Sequence, residues 1–360
     1  MVLTLFALLA SEAAGLSFLA VLGTHGNELH LLQPNGTATK LMELPGEVPW
    51  SGQVTFNSLR SYAPLASPYA TSYFAWLLAG AQPTVVCVLF QYNISTNSSN
   101  LLLTLKGNLP FDMSYDPADG GKLWGLISDN SAKIFSVGFF SLKDLQWYPL
   151  VTLSGSSQMY WSFLSATIDT NRGLYYIIYT NGSTGAVWFA TVTLTGPNKG
   201  AQTYRQFPDN ISLTRRNINK NFMPHAASNG ETRREAKRDP SGDSIVEFRY
   251  SHKTQQVVAL CVNSSNAYYL TTLNPATLAV QAFKVMLNLF QKVLLLTANK
   301  GGDYKNGISE FGTFSLDESV STNNGILYAS LFDTIPGYDV STGKIVDTVI
   351  APGGELFTIA

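Results

Sequence analysis

Charge is scarce in this 360-residue chain: only 13% of residues are Asp, Glu, Lys or Arg, and the formal net charge is −1. Nucleic acid and anionic membrane surfaces are drawn by concentrated positive charge, so neither is an expected partner. Cysteine is scarcer still. Cys87 and Cys261 lie inside the apolar runs TVVCVLFQY and VVALCVNSS rather than in the loop clusters of a disulfide scaffold. They are read as buried thiols, with a single disulfide in an oxidising compartment as the alternative. Long apolar runs are missing too: Val2 to Ala10 is too short to cross a bilayer, and no other segment approaches a membrane span. Amphipathic helical patterns are nearly absent. Residues 276–296 come nearest, but their β-branched content and the preceding Leu-Asn-Pro turn suit strands at least as well. The four histidines, His25, His30, His225 and His252, show no metal-ligand spacing. A G-x-S-x-G elbow, a Gly-rich phosphate loop and an acidic calcium loop are all lacking. No cofactor and no metal is therefore expected, and no set of acid, base and nucleophile points to catalysis.

What the chain has in quantity is Gly, Asn, Ser, Thr and aromatic residues, a composition that dresses a surface in neutral polar groups and fits an extracellular β protein. Residues 1–15, MVLTLFALLASEAAG, read as a secretory signal peptide: an apolar core is followed by small residues at Ala13 to Gly15. No Lys or Arg stands near its start, and the competing reading is a buried strand or helix of the mature fold. Six N-x-S/T triplets without proline begin at Asn35, Asn93, Asn97, Asn181, Asn210 and Asn263. Most fall in predicted turns, where a bulky N-linked glycan has room to project.

Residues 169–196, DTNRGLYYIIYTNGSTGAVWFATVTLTG, pose the question of organisation. They read as turn, strand, turn and longer strand, and the same order recurs at 16–44, 72–105, 114–153, 248–285 and 314–350. Each copy offers three or four short strands rich in Val, Ile, Leu, Tyr, Phe and Trp between Gly, Asn, Asp and Ser turns. One four-stranded sheet cannot bury both of its faces. Sheets packed radially bury them against each other, so a repeat of this kind predicts a β-propeller over residues 16–360. The expectation is a single all-β domain of four-stranded antiparallel blades, six in number with seven as the alternative. In each copy a glycine such as Gly173 is expected to adopt positive φ before a buried strand.

The segments GLYY at 173–176, GILYASLFD at 325–333 and YDVSTGKIVDTVI at 338–350 carry a family resemblance. On these the chain resembles the broad superfamily of quinoprotein-like or YVTN-type β-propellers, without the docking tryptophans or WD dipeptides that would select one family. The resemblance implies ring closure by strands from both ends of the chain. The apolar segments concerned hold Leu16, Phe18 and Leu19 at one end and Leu356, Phe357 and Ile359 at the other. If they pair with a neighbouring copy instead, the same strands build a polymer.

One segment breaks the repeat. Residues 213–243 hold Arg215, Arg216, Lys220, Arg233, Arg234, Lys237 and Arg238, and read as a long loop that is either a solvated insertion, an anion or glycan contact, or a protease-sensitive site. Asp116, Asp119, Asp169 and Asp317 recur at one place in their copies, where a short acid braces turn backbone; a cation-binding ring of these residues is the rival reading. Trp50, Tyr62, Tyr69, Tyr73, Tyr160 and Trp161 offer ring faces for sugars or, more simply, packing for the interior. The expected function is an extracellular glycoprotein with a structural or binding role, possible partners being other copies of itself or a carbohydrate or protein ligand. A lactonase-like propeller hydrolase and a receptor-like binding module are the alternatives.

Overall fold

The computed structural model describes residues 18–22, 28–32, 38–43, 55–59, 72–79, 86–93, 96, 98–106, 108–115, 121–129, 134–155, 159–169, 171–181, 183–207, 211–213, 243–251, 254–262, 268–282, 314–317, 326–329, 334–339, 342 and 344–350. Every regular element among them is a strand. The first sheet holds β1 (Phe18–Leu22), β2 (Glu28–Leu32) and β3 (Ala38–Glu43); the second holds β4 (Thr55–Leu59), β5 (Ser72–Ala79), β6 (Val86–Asn93) and β7 (Ser98–Lys106). The third consists of β8 (Asn108–Tyr115), β9 (Lys122–Asp129), β10 (Ile134–Ser141) and β11 (Gln146–Thr152), and the fourth of β12 (Met159–Asp169), β13 (Leu174–Asn181), β14 (Val187–Thr193) and β15 (Gln202–Gln206). The fifth contains β16 (Ile211–Leu213), β17 (Asp243–Ser251), β18 (Gln256–Val262), β19 (Tyr268–Leu273) and β20 (Val280–Ala282). The sixth contains β21 (Phe314–Asp317), β22 (Ile326–Ala329), β23 (Thr334–Asp339) and β24 (Ile345–Ile350). In every sheet the strands are ordered as in the chain, and all neighbours but β16 and β17 run antiparallel.

The reason these sheets stack is clearest in β13. Its sequence LYYIIYTN is buried along nearly its whole length, and period-two alternation sends its side chains to two different cores. Tyr175, Ile177 and Tyr179 join a cluster with Leu123, Leu126, Val137 and Phe140 of the third sheet, while Tyr176 and Ile178 join Phe248, Val257 and Ala259 of the fifth. Each such aromatic or aliphatic side chain removed from water contributes about 2 kcal/mol, so a sheet with two apolar faces is stable only between two others. The outermost strand β15, QTYRQ, is half exposed and polar.

The first antiparallel strands of successive sheets, β17 in the case of the fifth, approach one another: β4 meets β8, β8 meets β12, β12 meets β17 and β17 meets β21. Hydrogen bonds tie the same neighbours. The Tyr250 amide donates to Thr167 Oγ1 at 3.0 Å between the first strands. At the far side Gln202 Nε2 donates to the Thr152 carbonyl at 2.9 Å, and the Arg205 guanidinium donates to the Ala276 carbonyl.

Two sheets depart from the expected four antiparallel strands. The fifth gains β16, which pairs parallel to β17 because the chain runs along that edge in the same direction before and after the basic insertion. The first has three strands among the described residues. Of the ambiguous segment 276–296, Val280–Ala282 is strand and 283–296 lies outside the described residues, as do residues 1–15, 214–242 and 351–360.

Candidate functional site

The most elaborate polar cluster described lies where β12 meets β17. Asp169, the last residue of β12, is fully buried, and its Oδ1 accepts the Arg172 amide at 3.1 Å, the turn-bracing bond expected from sequence. Its Oδ2 accepts the Tyr176 hydroxyl at 3.3 Å and lies 3.8 Å from Arg172 Nε, whose side chain remains 49% exposed. Burial, then the charge of Asp169, pushes the Tyr176 phenol up to about 12. Tyr250 of β17 is pushed up by the same two causes in the same order, and its proximity, ahead of Tyr176 and Asp169, raises the Arg172 guanidinium. Both phenols therefore stay protonated, the Tyr176 hydroxyl donates to Asp169, and the guanidinium stays charged. The arrangement joins two sheets around one carboxylate; it presents no base or nucleophile to solvent.

The fifth sheet repeats the turn with different residues. Ser251 ends β17 as Asp169 ends β12, and its Oγ accepts the Thr254 amide at 3.3 Å. Four residues beyond the cap, Gly173 has φ +61° and Gln255 has φ +55°. Asp116 and Asp119 lie outside the described residues, and Asp317 is placed as the last residue of β21. Among the described residues no three His, Cys, Asp or Glu side chains gather closely enough to hold a metal ion.

Two of the glycan acceptors fall on a second recurring turn. Asn181 Oδ1 accepts the amides of Ser183 (2.9 Å) and Thr184 (3.1 Å), and the Asn181 carbonyl accepts Gly185 N–H at 2.8 Å. Asn93 Oδ1 accepts the Thr96 amide at 3.3 Å. Asn274 and Asp339 do the same toward Ala276 (2.8 Å) and Thr342 (3.2 Å), with no acceptor triplet at either position. Turn chemistry thus accounts for an Asn or Asp here, with a hydroxyl residue two or three places on. That pattern generates N-x-S triplets on its own. The acceptor role and the turn role use different atoms, since a glycan would attach at Nδ2 while the turn needs only the oxygen. Asn35, Asn97, Asn210 and Asn263 lie outside the described residues.

Of the aromatic candidates, Trp50, Tyr62 and Tyr69 are outside the described residues; Tyr73 falls in β5, and Tyr160 and Trp161 in β12. The residues that do form an aromatic row went unrecognised in sequence: Trp124, Phe139 and Tyr148 stand opposite one another on β9, β10 and β11. Phe139 stacks on Tyr148 with centroids 5.1 Å apart, Trp124 meets Phe139 edge-on, and Lys122 Nζ sits 4.8 Å from the Phe139 centroid. The Tyr148 hydroxyl donates to Asp144, which holds that carboxyl below its usual range. Only the period-two positions on adjacent strands foreshadow the row, and they become visible once the register is known. Cys261 is buried in β18, while Cys87 falls in β6. Phe18 and Leu19 lie in β1; Leu16, Leu356, Phe357 and Ile359 are outside the described residues, as are His25, His225 and His252.

The stacking of sheets through their first strands defines the chain as a β-propeller. Among solved structures it is similar to TolB from Acinetobacter baumannii, with a TM-score of 0.50 at 11% identity over 96% of this chain. The match spans 65% of the TolB chain, less than two thirds of its length. Further likenesses are to the Pseudomonas aeruginosa periplasmic gluconolactonase PpgL (TM-score 0.46, 8% identity, 96% of this chain and 98% of that one). The β-propeller domain of the Trilobed protease from Pyrococcus furiosus is also similar (TM-score 0.43, 9% identity, 85% and 84%). At such identities the likeness is one of fold. No protein-family model and no curated protein matches the sequence. Among the described residues no helix is long and apolar enough to cross a membrane.

Proposed function

We propose that the chain is an extracellular, N-glycosylated β-propeller that acts through its surface, as a structural or binding protein. The observation that carries this reading is the Asn181 turn. Ser183, Thr184 and Gly185 are exposed there, and the oxygen that the fold requires is not the atom a glycan would take. Support also comes from the low charge, the apolar residues 1–15 and the commitment of Asp169 to joining sheets rather than to chemistry.

The test is secretion of the full chain from a eukaryotic host, followed by glycopeptide mass spectrometry and sequencing of the secreted N-terminus. A glycan on the Asn181 peptide and a start beyond residue 15 are expected. Asn181→Asp keeps the oxygen that the turn uses, as Asp339 does in its own turn, and removes the acceptor. It should lose the glycan while melting within about 0.5 kcal/mol of an enzymatically deglycosylated control, whereas Asn181→Ala should cost about 1 kcal/mol. An unmodified Asn181 peptide in the secreted protein would refute the glycan assignment at that position.

Carbohydrate binding is a second reading, favoured by Tyr148. The residue is 39% exposed, its ring backed by Phe139 and its hydroxyl fixed by Asp144, which suits stacking against a pyranose. Glycan-array binding that survives Tyr148→Ala would count against this surface.

A further inference from the structure

The face of the third sheet that carries Trp124, Phe139 and Tyr148 changes character along its strands. Leu126 and Val137, directly opposite each other, are fully buried. Two positions on, Trp124 is buried, Phe139 half-buried and Tyr148 exposed. Two further on stand Lys122, Ser141 and Gln146, all polar and none of them buried. Side chains two apart on a strand share a face, so the core opens outward here, toward β11 and the turn before it.

At that corner one face of the Tyr148 ring is open. Phe139 stacks on the ring from the neighbouring strand, with centroids 5.1 Å apart and planes 15° apart, so the stack runs from strand to strand. β11 is last in its sheet and no described strand lies beyond it, so a ligand reaches the face turned away from Phe139. The ring is also held in place. Its hydroxyl donates to Asp144 Oδ2, while Oδ1 accepts the Gln146 amide at 3.3 Å. A ring already fixed at both ends loses little freedom when a second apolar surface settles on it.

The charge beside the ring selects what settles there. Hydrogen bonds from Tyr148 and then Ser141 hold the Asp144 carboxyl below its usual range, so at neutral pH it is ionised. Lys122 meets the row on Phe139, one strand further in, and Lys143 belongs to the turn; the charge bonded to the Tyr148 hydroxyl is that of Asp144. It repels an anion, whereas the electron-rich ring face attracts the electropositive C–H bonds of an uncharged sugar. Gln146, exposed on the same face about 7 Å along the strand, offers an amide donor and acceptor to sugar hydroxyls.

We propose that the outer face of Tyr148 binds an uncharged pyranose, with Asp144 positioning the ring and excluding acidic sugars. This rests on the carbohydrate-binding reading above and narrows it to one class of sugar and one specificity residue.

The test is saturation-transfer NMR on the full chain at low salt, with neutral gluco-, galacto- and manno-oligosaccharides and the matching uronate oligomers. A neutral oligosaccharide should bind, and Tyr148→Ala should weaken it about tenfold, the worth of one aromatic stack. Tyr148→Phe keeps the stack but releases Asp144, and should weaken it about threefold. Asp144→Asn should raise the ratio of uronate to neutral affinity about threefold, an effect that salt removes. Uronate oligomers that bind better than neutral ones, and lose that binding in Tyr148→Ala, would overturn the sugar class while leaving the carbohydrate reading intact. Neutral binding unchanged in both Tyr148 variants would overturn the site, and an unchanged ratio in Asp144→Asn would overturn the role of Asp144. If the alanine variant does not fold, Tyr148→Phe decides. Binding of neither kind of oligosaccharide would remove the carbohydrate reading and this proposal with it.

Discussion

At the scale of single residues, the consequential position is Asp169. A fully buried carboxylate is tolerated because the Tyr176 hydroxyl, the Arg172 amide and the Arg172 guanidinium all address it. Asp169→Ala should destabilise by about 3 kcal/mol in a denaturant titration, since it strands those donors, and Asp169→Asn by about 1 kcal/mol, since one oxygen remains for the turn. The phenols make a second prediction. Tyr176 and Tyr179 are pushed from 10.0 to about 12, chiefly by burial. Between those values the unfolded chain has lost the protons that the folded chain keeps, so stability is full below pH 10 and falls as pH rises toward 12. Alkaline unfolding followed by tyrosinate absorbance should show ionisation of these rings delayed and coincident with loss of the fold; independent ionisation before unfolding would contradict the burial argument.

Turns are where the elements of this chain are decided. The turns after β12 and β17 share a side-chain cap and a left-handed residue, but one uses Gly173 and the other Gln255. A non-glycine residue held there costs about 1 kcal/mol, and Gln255 is exposed, so nothing packed is lost on removing it. Gln255→Gly should therefore stabilise by about 0.5 kcal/mol once the greater backbone freedom of glycine is subtracted. Gly173→Ala should cost about 2 kcal/mol, because the new Cβ would collide with Thr195 Oγ1 as well as strain the backbone. Thermal melts of the two variants, displaced in opposite directions, check both. Leu145 and Leu278 occupy left-handed positions too, at φ +58° each, but both pack against the cores, so glycine there forfeits burial and no gain is expected. The strands between such turns were legible from their β-branched and aromatic runs and from period two. The parallel strand β16 was not, because three residues, Ile211–Leu213, carry too little pattern to reveal a partner more than thirty positions away.

At the scale of the whole molecule, cohesion comes from faces rather than from edges. The fourth sheet contributes to both core clusters, and hydrogen bonds on its two flanks join it to the third and fifth. Native-state hydrogen exchange should therefore find the amides of β13 and β14 among the slowest in the chain and those of β15, at the polar outer edge, among the faster. Uniform exchange across the sheet would mean that the outer strand shares the stability of the inner ones. Opposing the burial is the entropy of ordering short strands separated by many turns, which is why a single sheet of this kind would not persist alone.

The repeat, the all-β class, the turn at Gly173 and the bracing role of Asp169 were determined by the sequence itself, because each depends on residues within a few positions of one another. Local chemistry of that kind leaves its mark in composition and spacing. Tertiary structure alone decided that Tyr175 and Tyr176, neighbours in the chain, serve different cores, and that Tyr250 comes to Asp169. It also decided that Trp124, Phe139 and Tyr148 form one row. These facts rest on strand register and on which sheet lies against which. Both are set by the packing of faces far apart in the chain, and no window of sequence contains them.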